Sequence, residues 1–172
     1  MTSPFEQTML PHLDAAYNLA HWLLRNEQDA RDSVQEAYLR AFKAFHGFRG
    51  GDGRAWLLTI VRNVCYTHLR RMQRQLPTEP FDESQHGRVN EPAELAVLDR
   101  QEIDHARLDA ALTALPVDLR EVLVLHEIEG LAYKEIAAVV GIPLGTVMSR
   151  LSRARLRLNR ALLGPAQSEE RP

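Results

Sequence analysis

The chain has 172 residues, of which 45% are hydrophobic and 26% are charged. This composition is typical of a globular protein of one domain or two small ones, and it excludes a disordered chain. The apolar runs VLVL (122–125) and IAAVV (136–140) are too short to span a bilayer, so membrane insertion is not expected. The N-terminus lacks the pattern of a signal peptide, which predicts a cytoplasmic protein. The single cysteine, Cys65, excludes an internal disulfide and a zinc site made of several cysteines.

The net charge is −2, but the charges are segregated along the chain. Residues 49–74 contain six arginines and one acid, residues 75–104 contain eight acids and two arginines, and residues 150–160 are basic again. A distribution of this kind matters more for nucleic-acid binding than the sum does. It indicates two separate DNA contacts joined by an acidic connector.

The first two helices are predicted over residues 8–25 and 29–45, because apolar residues recur there at helical spacing. Asp29, Asp32 and Glu36 lie in the first turns of the second helix, where acids complement the helix dipole. That role accounts for Asp29 and Asp32 without any partner. Gln35, Glu36 and Arg40 lie further along and need another explanation if they are exposed.

A loop with four glycines, HGFRGGDG (46–53), separates the second helix from a third that begins at Arg54. The loop fits neither of the common glycine-rich phosphate-binding motifs, so nucleotide binding is not expected. One face of the third helix mixes aromatic, amide and arginine side chains, which suits unpaired bases. The alternative is that its aromatic residues pack against the first two helices. The residues of this face are Trp56, Thr59, Asn63, Tyr66, Thr67, Arg70 and Arg74. His68 lies on the opposite, apolar side and is expected in the core.

Prolines and glycine among the acids of residues 76–92 predict an extended linker. Helical periodicity returns over residues 93–114, and residues 119–128 form a further apolar helix. The segment from Tyr133 to Leu163 then predicts a helix-turn-helix. Its turn is Gly141-Ile142-Pro143, and Thr146 is the expected N-cap of the second helix. Arginines follow one stripe of that helix beside an apolar stripe, as in a helix that docks in a DNA groove.

Catalysis is not expected. The spacing of Glu83-x-x-His86 and Glu102-x-x-His105 resembles that of a di-iron bundle, but the first pair lies in the linker and the bridging glutamates are not evident. The other histidines form no cluster with ligand spacing, and no nucleophile has an activating context. The sequence therefore predicts no metal, no cofactor and no small-molecule substrate.

Three motifs in order resemble those of bacterial RNA polymerase sigma factors of the sigma-70 family, in the extracytoplasmic-function (ECF) group. They are DARDSVQEAYLRAF (29–42), RAWLLTIVRNVCYTHLRR (54–71) and the segment 112–158, which includes GTVMSRLSRAR. The resemblance implies an all-α fold of two small helical domains. Region 2 would span residues 8–75, the acidic flexible linker 76–107, and the region 4 helix-turn-helix 108–163.

The resemblance also implies partners and site residues. Region 2 would bind the clamp helices of the largest polymerase subunit through Asp29, Asp32, Gln35, Glu36 and Arg40, with the polymerase flap as a further contact of the protein. The −10 promoter element would be melted and read by Phe48, Arg54, Trp56, Asn63, Tyr66, Thr67, Arg70, Arg71 and Arg74. The −35 duplex would be bound by Thr146, Val147, Ser149, Arg150, Arg153 and Arg157. An anti-sigma factor is an expected further partner.

This sequence departs from the family at two positions. Many relatives have Asp or Asn where Thr67 stands, and many have Lys where Met148 stands, so the preferred bases and one phosphate contact differ. The main alternative is a helix-turn-helix transcriptional regulator that acts on duplex DNA without polymerase. A second alternative is an interaction protein that sequesters a partner through its helices.

Overall fold

The fold is that of a computed structural model, which describes residues 1–76 and 105–164. Those two ranges are helical and contain no strand, so the predicted all-α class is confirmed. The helices are α1 (Pro4–Met9), α2 (Leu13–Leu24), α3 (Glu27–Ala44), α4 (Gly53–Gln75), α5 (His105–Ala114), α6 (Val117–Leu123), α7 (Tyr133–Val140) and α8 (Leu144–Leu163). We call residues 1–76 the N-terminal half and residues 105–164 the C-terminal half.

The predicted first helix is divided, which corrects the prediction of one helix over residues 8–25. Helix α1 ends at Met9, a 3₁₀ turn follows over Leu10–His12, and α2 begins at Leu13. Pro11 is the physical reason, because its nitrogen cannot donate the hydrogen bond that a continuous α-helix requires. Ser3 starts α1 with a capping box that also uses Glu6.

Helices α2, α3 and α4 pack against one another and form the bundle of the N-terminal half. The predicted starts of α3 and α4 are confirmed to within two residues, and each start has a side-chain cap. Asn26 accepts a hydrogen bond from the backbone N–H of Asp29 at 2.9 Å. Asp52 accepts one from the N–H of Ala55 at 3.0 Å, so the last residues of the glycine-rich loop fix where α4 begins.

The C-terminal half contains the predicted helix-turn-helix. Helices α7 and α8 are inclined by 102° to each other, within the range of this motif. Gly141 between them has a φ of +76°, and its N–H donates to the carbonyl of Ala137. A residue with a Cβ is disfavoured in that left-handed conformation, so the glycine sets the turn. In the described ranges no single helix is long and apolar enough to cross a membrane; α7 and α8 reach that threshold only when taken as a bent pair.

The expected N-cap role of Thr146 is wrong. Helix α8 begins two residues earlier at Leu144, with Pro143 as the capping residue, and Thr146 lies inside the first turn. The N–H groups of Thr146 and Val147 both bond to the carbonyl of Pro143. The Pro143 carbonyl thus accepts from two N–H groups of the first turn, and the helix start has no side-chain cap.

The two halves pack directly against each other. Helix α4 contacts α7, and α2 contacts α6. Buried apolar residues of both halves form one contiguous cluster, from Met9 through Leu57 and Val61 to Leu125 and Leu151. The predicted linker lies outside the described residues, apart from Leu76, which follows α4, and 105–107, which belong to α5. The two halves are therefore adjacent in space although a long segment separates them in sequence.

Candidate nucleic-acid and polymerase interfaces

The C-terminal part of α4 carries an exposed polar and basic surface. Asn63, Arg70, Arg71 and Arg74 are exposed, and the half-buried Thr67 lies among them. The Thr67 hydroxyl donates to the carbonyl oxygen of Asn63 at 2.9 Å. This bond leaves the oxygen of Thr67 available as an acceptor. The structure thus brings five of the predicted −10 residues onto one accessible stretch of helix.

The start of α4 is aromatic. The rings of Phe48 and Trp56 lie 5.1 Å apart, and Phe48 also stacks on Phe45 at 5.8 Å. All three are half-buried. Trp56 therefore packs against Phe48 in the loop before α4, whereas the alternative interpretation expected it to pack against the first two helices. Phe48 and Trp56 lie next to each other and form a partly accessible aromatic surface that is suited to stacking.

Two further residues of the predicted −10 set contact the C-terminal half. The Arg54 guanidinium donates to the backbone carbonyl of Glu129 at 2.9 Å and lies 3.5 Å from the Glu135 carboxylate. The Tyr66 hydroxyl donates to Oε2 of Glu121 at 2.7 Å. Arg54 and Tyr66 thus contact the other half of the molecule.

Glu121 is a central residue that sequence reasoning missed. Its side chain is fully buried, and Arg62 bonds both of its carboxylate oxygens while also lying over the Tyr66 ring at 4.2 Å. Burial raises the pKa of Glu121, against the opposing effects of Arg62 and Tyr66. Burial also raises the pKa of Tyr66, and the neighbouring Glu121 charge adds to this shift. The available signal was the position of Glu121 directly before the apolar run VLVL (122–125).

A second buried charge next to it has a structural role. Arg120 is 7% exposed, and its Nη1 donates to the carbonyls of Leu112, Thr113 and Leu115. These carbonyls belong to the end of α5, so Arg120 caps that helix. Burial lowers the pKa of Arg120.

Helix α8 presents the predicted −35 residues with one exception. Ser149 and Arg157 are exposed, while Thr146, Arg150 and Arg153 are half-buried. The prediction is wrong for Val147, which has no exposed surface and packs in the core with the apolar stripe of α8. The stripe of arginines on α8 is unaffected by this correction, because Val147 lies on the neighbouring face of the helix. Arg155 is also engaged within this half, since it pairs with Glu127 at 2.8 Å.

Helix α3 divides the predicted polymerase-binding residues between two surfaces. Four of them line a small polar pocket of about 130 Å³ that α3 shares with Thr67, His68 and Arg71 of α4; these four are Asp29, Asp32, Glu36 and Arg40. Glu36 and Arg40 form an ion pair at 2.5 Å. His68 lies 3.3 Å from Asp29 and is about one-third exposed, so the expectation of a core histidine is wrong.

Gln35 lies instead in an apolar groove of about 610 Å³ between α1, α2 and α3. The side chains of Leu39 and Phe42 line it and are 57% and 62% exposed. The ring of Phe5 from α1 lies 5.3 Å from that of Phe42 and forms part of the wall. An exposed apolar groove of this kind is typical of a surface that binds an amphipathic helix of a partner.

Neither a reactive cysteine nor a metal-binding cluster is found in the described residues. Cys65 is fully buried, and burial raises the pKa of its thiol to about 12. A thiol in such surroundings is not a ready nucleophile. No group of three or more His, Cys, Asp or Glu residues with metal-binding geometry occurs within residues 1–76 and 105–164.

Comparison with known proteins assigns both halves. The family model for sigma-70 region 2 matches residues 9–75, and the model for sigma-70 region 4 matches residues 105–158. ECF RNA polymerase sigma factor EcfG of Rhodopseudomonas palustris (strain TIE-1) is 34% identical over 94% of this chain and 87% of its own length. The chain belongs to the ECF sigma factors.

Other relatives carry the group name explicitly. ECF RNA polymerase sigma factor SigE of Mycolicibacterium smegmatis is 37% identical over 90% of this chain, which spans only 60% of that relative. The ECF sigma-E factor of Escherichia coli (strain K12) is 35% identical over 74% of this chain and 70% of its own. The function predicted from the sequence, promoter-directed initiation of transcription, is therefore confirmed at the level of the family, which consists of initiation factors.

Solved structures agree over both halves. The sigma factor RpoE of Bartonella quintana, in complex with the anti-sigma factor NepR, superposes with a TM-score of 0.71 at 32% identity, over 93% of this chain and 97% of its own. CnrH, in complex with the cytosolic domain of CnrY, gives a TM-score of 0.63 at 28% identity, over 92% of this chain and 86% of its own.

Proposed function

We propose that this ECF sigma factor binds core RNA polymerase and opens promoters with two DNA contacts of different kinds. Helix α8 binds the −35 element as a duplex, and α4 with the preceding loop melts and reads the −10 element. The observation that carries this proposal is the presence, in one chain, of a helix-turn-helix with an accessible arginine stripe and a separate helix with an accessible amide-and-arginine face. We retain residues 8–75, 76–107 and 108–163 as region 2, linker and region 4.

At the −35 element, the exposed face of α8 enters the major groove. Thr146 and Ser149 lie near the start of the helix, where a recognition helix meets base edges. Arg150, Arg153 and Arg157 follow along the helix and contact phosphates or guanine edges. This contact positions the promoter on polymerase.

At the −10 element, unpaired bases bind along α4. Phe48 and Trp56 supply the aromatic surface, Asn63 and Thr67 supply hydrogen bonds, and three arginines supply charge for the backbone; the arginines are Arg70, Arg71 and Arg74. Stacking a base on an aromatic side chain contributes ~1–3 kcal/mol. That energy offsets the unstacking cost of a few kcal/mol for a flipped base. Opening therefore needs no hydrolysis.

Polymerase binds on α3. We propose that the clamp helices lie across the apolar groove and that the polar pocket beside it sets their orientation. Leu39 and Phe42 supply apolar area in this arrangement, and Gln35 lies in the same groove. Asp29, Asp32, Glu36 and Arg40 remain the proposed polar contacts, as predicted from the sequence. The polymerase flap is the proposed contact of region 4. This partner makes the cytoplasm the proposed site of action.

An anti-sigma factor is the remaining proposed partner. It is supported by the two similar solved structures: one is a sigma factor in complex with an anti-sigma factor, and the other is CnrH in complex with the cytosolic domain of CnrY. Sequestration is a sensible requirement, because a free sigma factor would otherwise compete for core polymerase continuously.

The deciding experiment is co-purification with core RNA polymerase, followed by run-off transcription on a promoter selected with the reconstituted holoenzyme. The proposal requires a stable complex and a defined transcript. Binding to duplex DNA without any polymerase association would instead establish the alternative, a helix-turn-helix regulator. Binding to a partner with neither DNA nor polymerase contact would establish an interaction protein.

A further inference from the structure

An ion-paired arginine in the middle of α8 joins this helix to the start of α7. Arg155 donates to a carboxylate oxygen of Glu127 at 2.8 Å. Glu127 belongs to a single π-helical turn, Val124–Ile128, which lies between α6 and α7. The bond to Glu127 raises the pKa of Arg155 against the opposing effect of burial, and a hydrogen bond with Tyr133, the first residue of α7, raises it further. We call Glu127, Tyr133 and Arg155 the helix tie.

Tyr133 is itself held by the π-helical turn. Its ring lies 5.0 Å from the ring of His126, and Nδ1 of His126 donates to the backbone carbonyl of Leu131 at 3.0 Å. The turn is closed by a bond from the N–H of Glu129 to the carbonyl of Val124, five residues earlier. Turns of this rare kind are frequent at functional sites. This one supplies a partner for Tyr133 as well as one for Arg155.

Arg155 lies on a different side of α8 from the arginine stripe. It is two residues from both Arg153 and Arg157, and two residues of an α-helix turn a side chain through about 200°. Of the arginines on α8, only Arg155 is paired with a carboxylate within residues 1–76 and 105–164. Arg155 therefore holds the side of α8 that faces the π-helical turn and α7, while the stripe is left for DNA.

The helix-turn-helix is thus fixed at two places. The turn at Gly141 joins α7 and α8, which diverge from it at 102°, and the helix tie joins them again away from the turn. A residue about 13 positions along α8 lies about 20 Å from the turn, so a swing of ~10° displaces it by about 3.5 Å. Such a displacement exceeds the tolerance of about 0.5 Å that a binding site allows.

We propose that Arg155 is a positioning residue for −35 recognition: held by Glu127 and Tyr133, it sets the angle between α7 and α8 and thereby the placement of the arginine stripe on the duplex. The proposal rests on the assignment of α8 to the −35 element. Sequence discrimination depends on this placement, because base edges are read at fixed positions whereas phosphates repeat along the duplex. Glu127 is 52% exposed, and so exposed an ion pair contributes little to stability. Its loss therefore changes discrimination in a protein that remains folded.

Three single variants cut the helix tie at different atoms. Arg155→Gln removes its central charge, Glu127→Gln removes the charge of one partner, and Tyr133→Phe removes only a hydroxyl. Arg107→Gln is the matched control, because Arg107 also bonds to α8, at the carbonyl of Leu162 near the end of the helix, at 2.8 Å. Far-UV circular dichroism equal to that of wild type establishes that each variant is folded.

The first measurement is the distance between α7 and α8 in the full chain without DNA. Spin labels on Ala138→Cys and Ala161→Cys report it by electron resonance, since both positions are exposed and the buried Cys65 stays unlabelled. Wild type and Arg107→Gln give the same narrow distribution of distances, and each variant of the helix tie broadens or shifts it. Equal distributions in all five proteins would overturn the helix tie.

The second measurement is sequence discrimination on duplex DNA. It is the ratio of the dissociation constants for two duplexes of equal length, one with a scrambled −35 element and one with the −35 element of the selected promoter. Arg155→Gln lowers this ratio roughly tenfold, the value of one base-edge contact. Glu127→Gln and Tyr133→Phe lower it severalfold, and Arg107→Gln leaves it at the wild-type value.

The direction of the Glu127→Gln effect separates positioning from direct DNA contact. If Arg155 bound a phosphate itself, its release from Glu127 would raise affinity for both duplexes and leave the ratio unchanged. That result would overturn the proposal, and so would an unchanged ratio in Arg155→Gln. A wild-type protein with no preference for the −35 duplex would overturn the proposed function instead, and it would leave the spin-label result intact.

Discussion

Helices α4 and α8 share a sequence design but differ in what surrounds them. Each carries a buried apolar stripe beside a polar and basic stripe, and each is proposed to bind promoter DNA. The arginines of the basic stripe of α8 are exposed or half-buried at the surface. That of α4 is divided, because Arg54 and Tyr66 contact the C-terminal half while Asn63 and the terminal arginines do not. Amphipathic periodicity thus predicts which face points outward from a helix but not what lies opposite it.

The comparison also suggests different tasks. A duplex presents a regular surface that a preformed helix face can meet at once. Unpaired bases exist only after the promoter has opened. A surface that becomes fully accessible late in initiation is therefore compatible with binding them. On the proposed assignment, the face for the duplex is accessible and the face for the open strand is partly covered, which is compatible with this order of events.

The largest expected effect tests whether the two halves are one cooperative unit. Leu57 of α4 and Leu151 of α8 are both buried in the contiguous core, and each change to alanine costs ~2–5 kcal/mol of unfolding free energy through lost burial and a cavity. The two tryptophans, Trp22 and Trp56, lie in the N-terminal half, so their fluorescence reports that half, whereas circular dichroism reports both. Leu151→Ala should shift the urea midpoint of both signals.

An unmoved fluorescence midpoint in Leu151→Ala would show that the halves unfold separately, and the comparison would then concern two independent domains. Leu39→Ala is the control for fluorescence itself. Leu39 is largely exposed in the N-terminal half, so its loss should leave both midpoints nearly unchanged.

The second prediction concerns α4 alone. Asn63→Ala removes an exposed amide from the face assigned to unpaired bases, so promoter opening should weaken by ~1–3 kcal/mol, the range for loss of a hydrogen-bonded or stacked base contact. Binding of the closed promoter complex should stay near wild type, because the −35 contact is intact. Permanganate reactivity of −10 thymines measures opening. Gln73→Ala, which removes an exposed amide further along the same helix, is the matched control, and equal reactivity in all three proteins would remove Asn63 from the site.

The helices themselves were largely predictable from the sequence. Helices α3 and α4 follow from apolar spacing, and their starts follow from Asn26 and Asp52. The division at Pro11 was not predicted, because Leu10 and Leu13 continue the apolar pattern across the break even though both are exposed. The start of α8 was predicted too late in the chain, because Thr146 is a typical N-cap residue, whereas Pro143 is the N-cap in the structure.

The site was less predictable than the helices. Helical periodicity assigns Val147 to the apolar stripe of α8, and only the family resemblance placed it among the DNA-binding residues, so its burial agrees with the periodicity. Glu121 could not be assigned from the sequence, since its partners Arg62 and Tyr66 lie more than 50 residues away on another helix. Contacts of that kind depend on how two halves dock, and no local spacing encodes the docking.

The third prediction concerns α8. Arg153→Ala should weaken −35 binding severalfold and reduce the salt slope of binding by ~1, because one phosphate contact releases about one counterion. Arg160→Ala provides the control, since Arg160 is exposed in the last turn of the same helix. Affinity measured from 50 to 300 mM salt on a −35 duplex checks both values. An unchanged slope for Arg153→Ala would mean that this arginine does not approach DNA.

The smallest expected effect is a gain on the same helix. Met148 is about half exposed beside Ser149, at a position where the family often has lysine, so Met148→Lys should add one phosphate contact. The salt slope should rise by ~0.9 and duplex affinity should rise only a few-fold at physiological salt. Ala161→Lys adds the same charge at an exposed position near the end of α8, and it separates a local contact from a general increase in positive charge. If both lysines raise affinity equally, α8 attracts DNA through its overall charge, and the proposed orientation of its first turns in the groove loses its support. If only Met148→Lys does so, the start of α8 lies against the backbone, as a helix entering the major groove by its N-terminal turns requires.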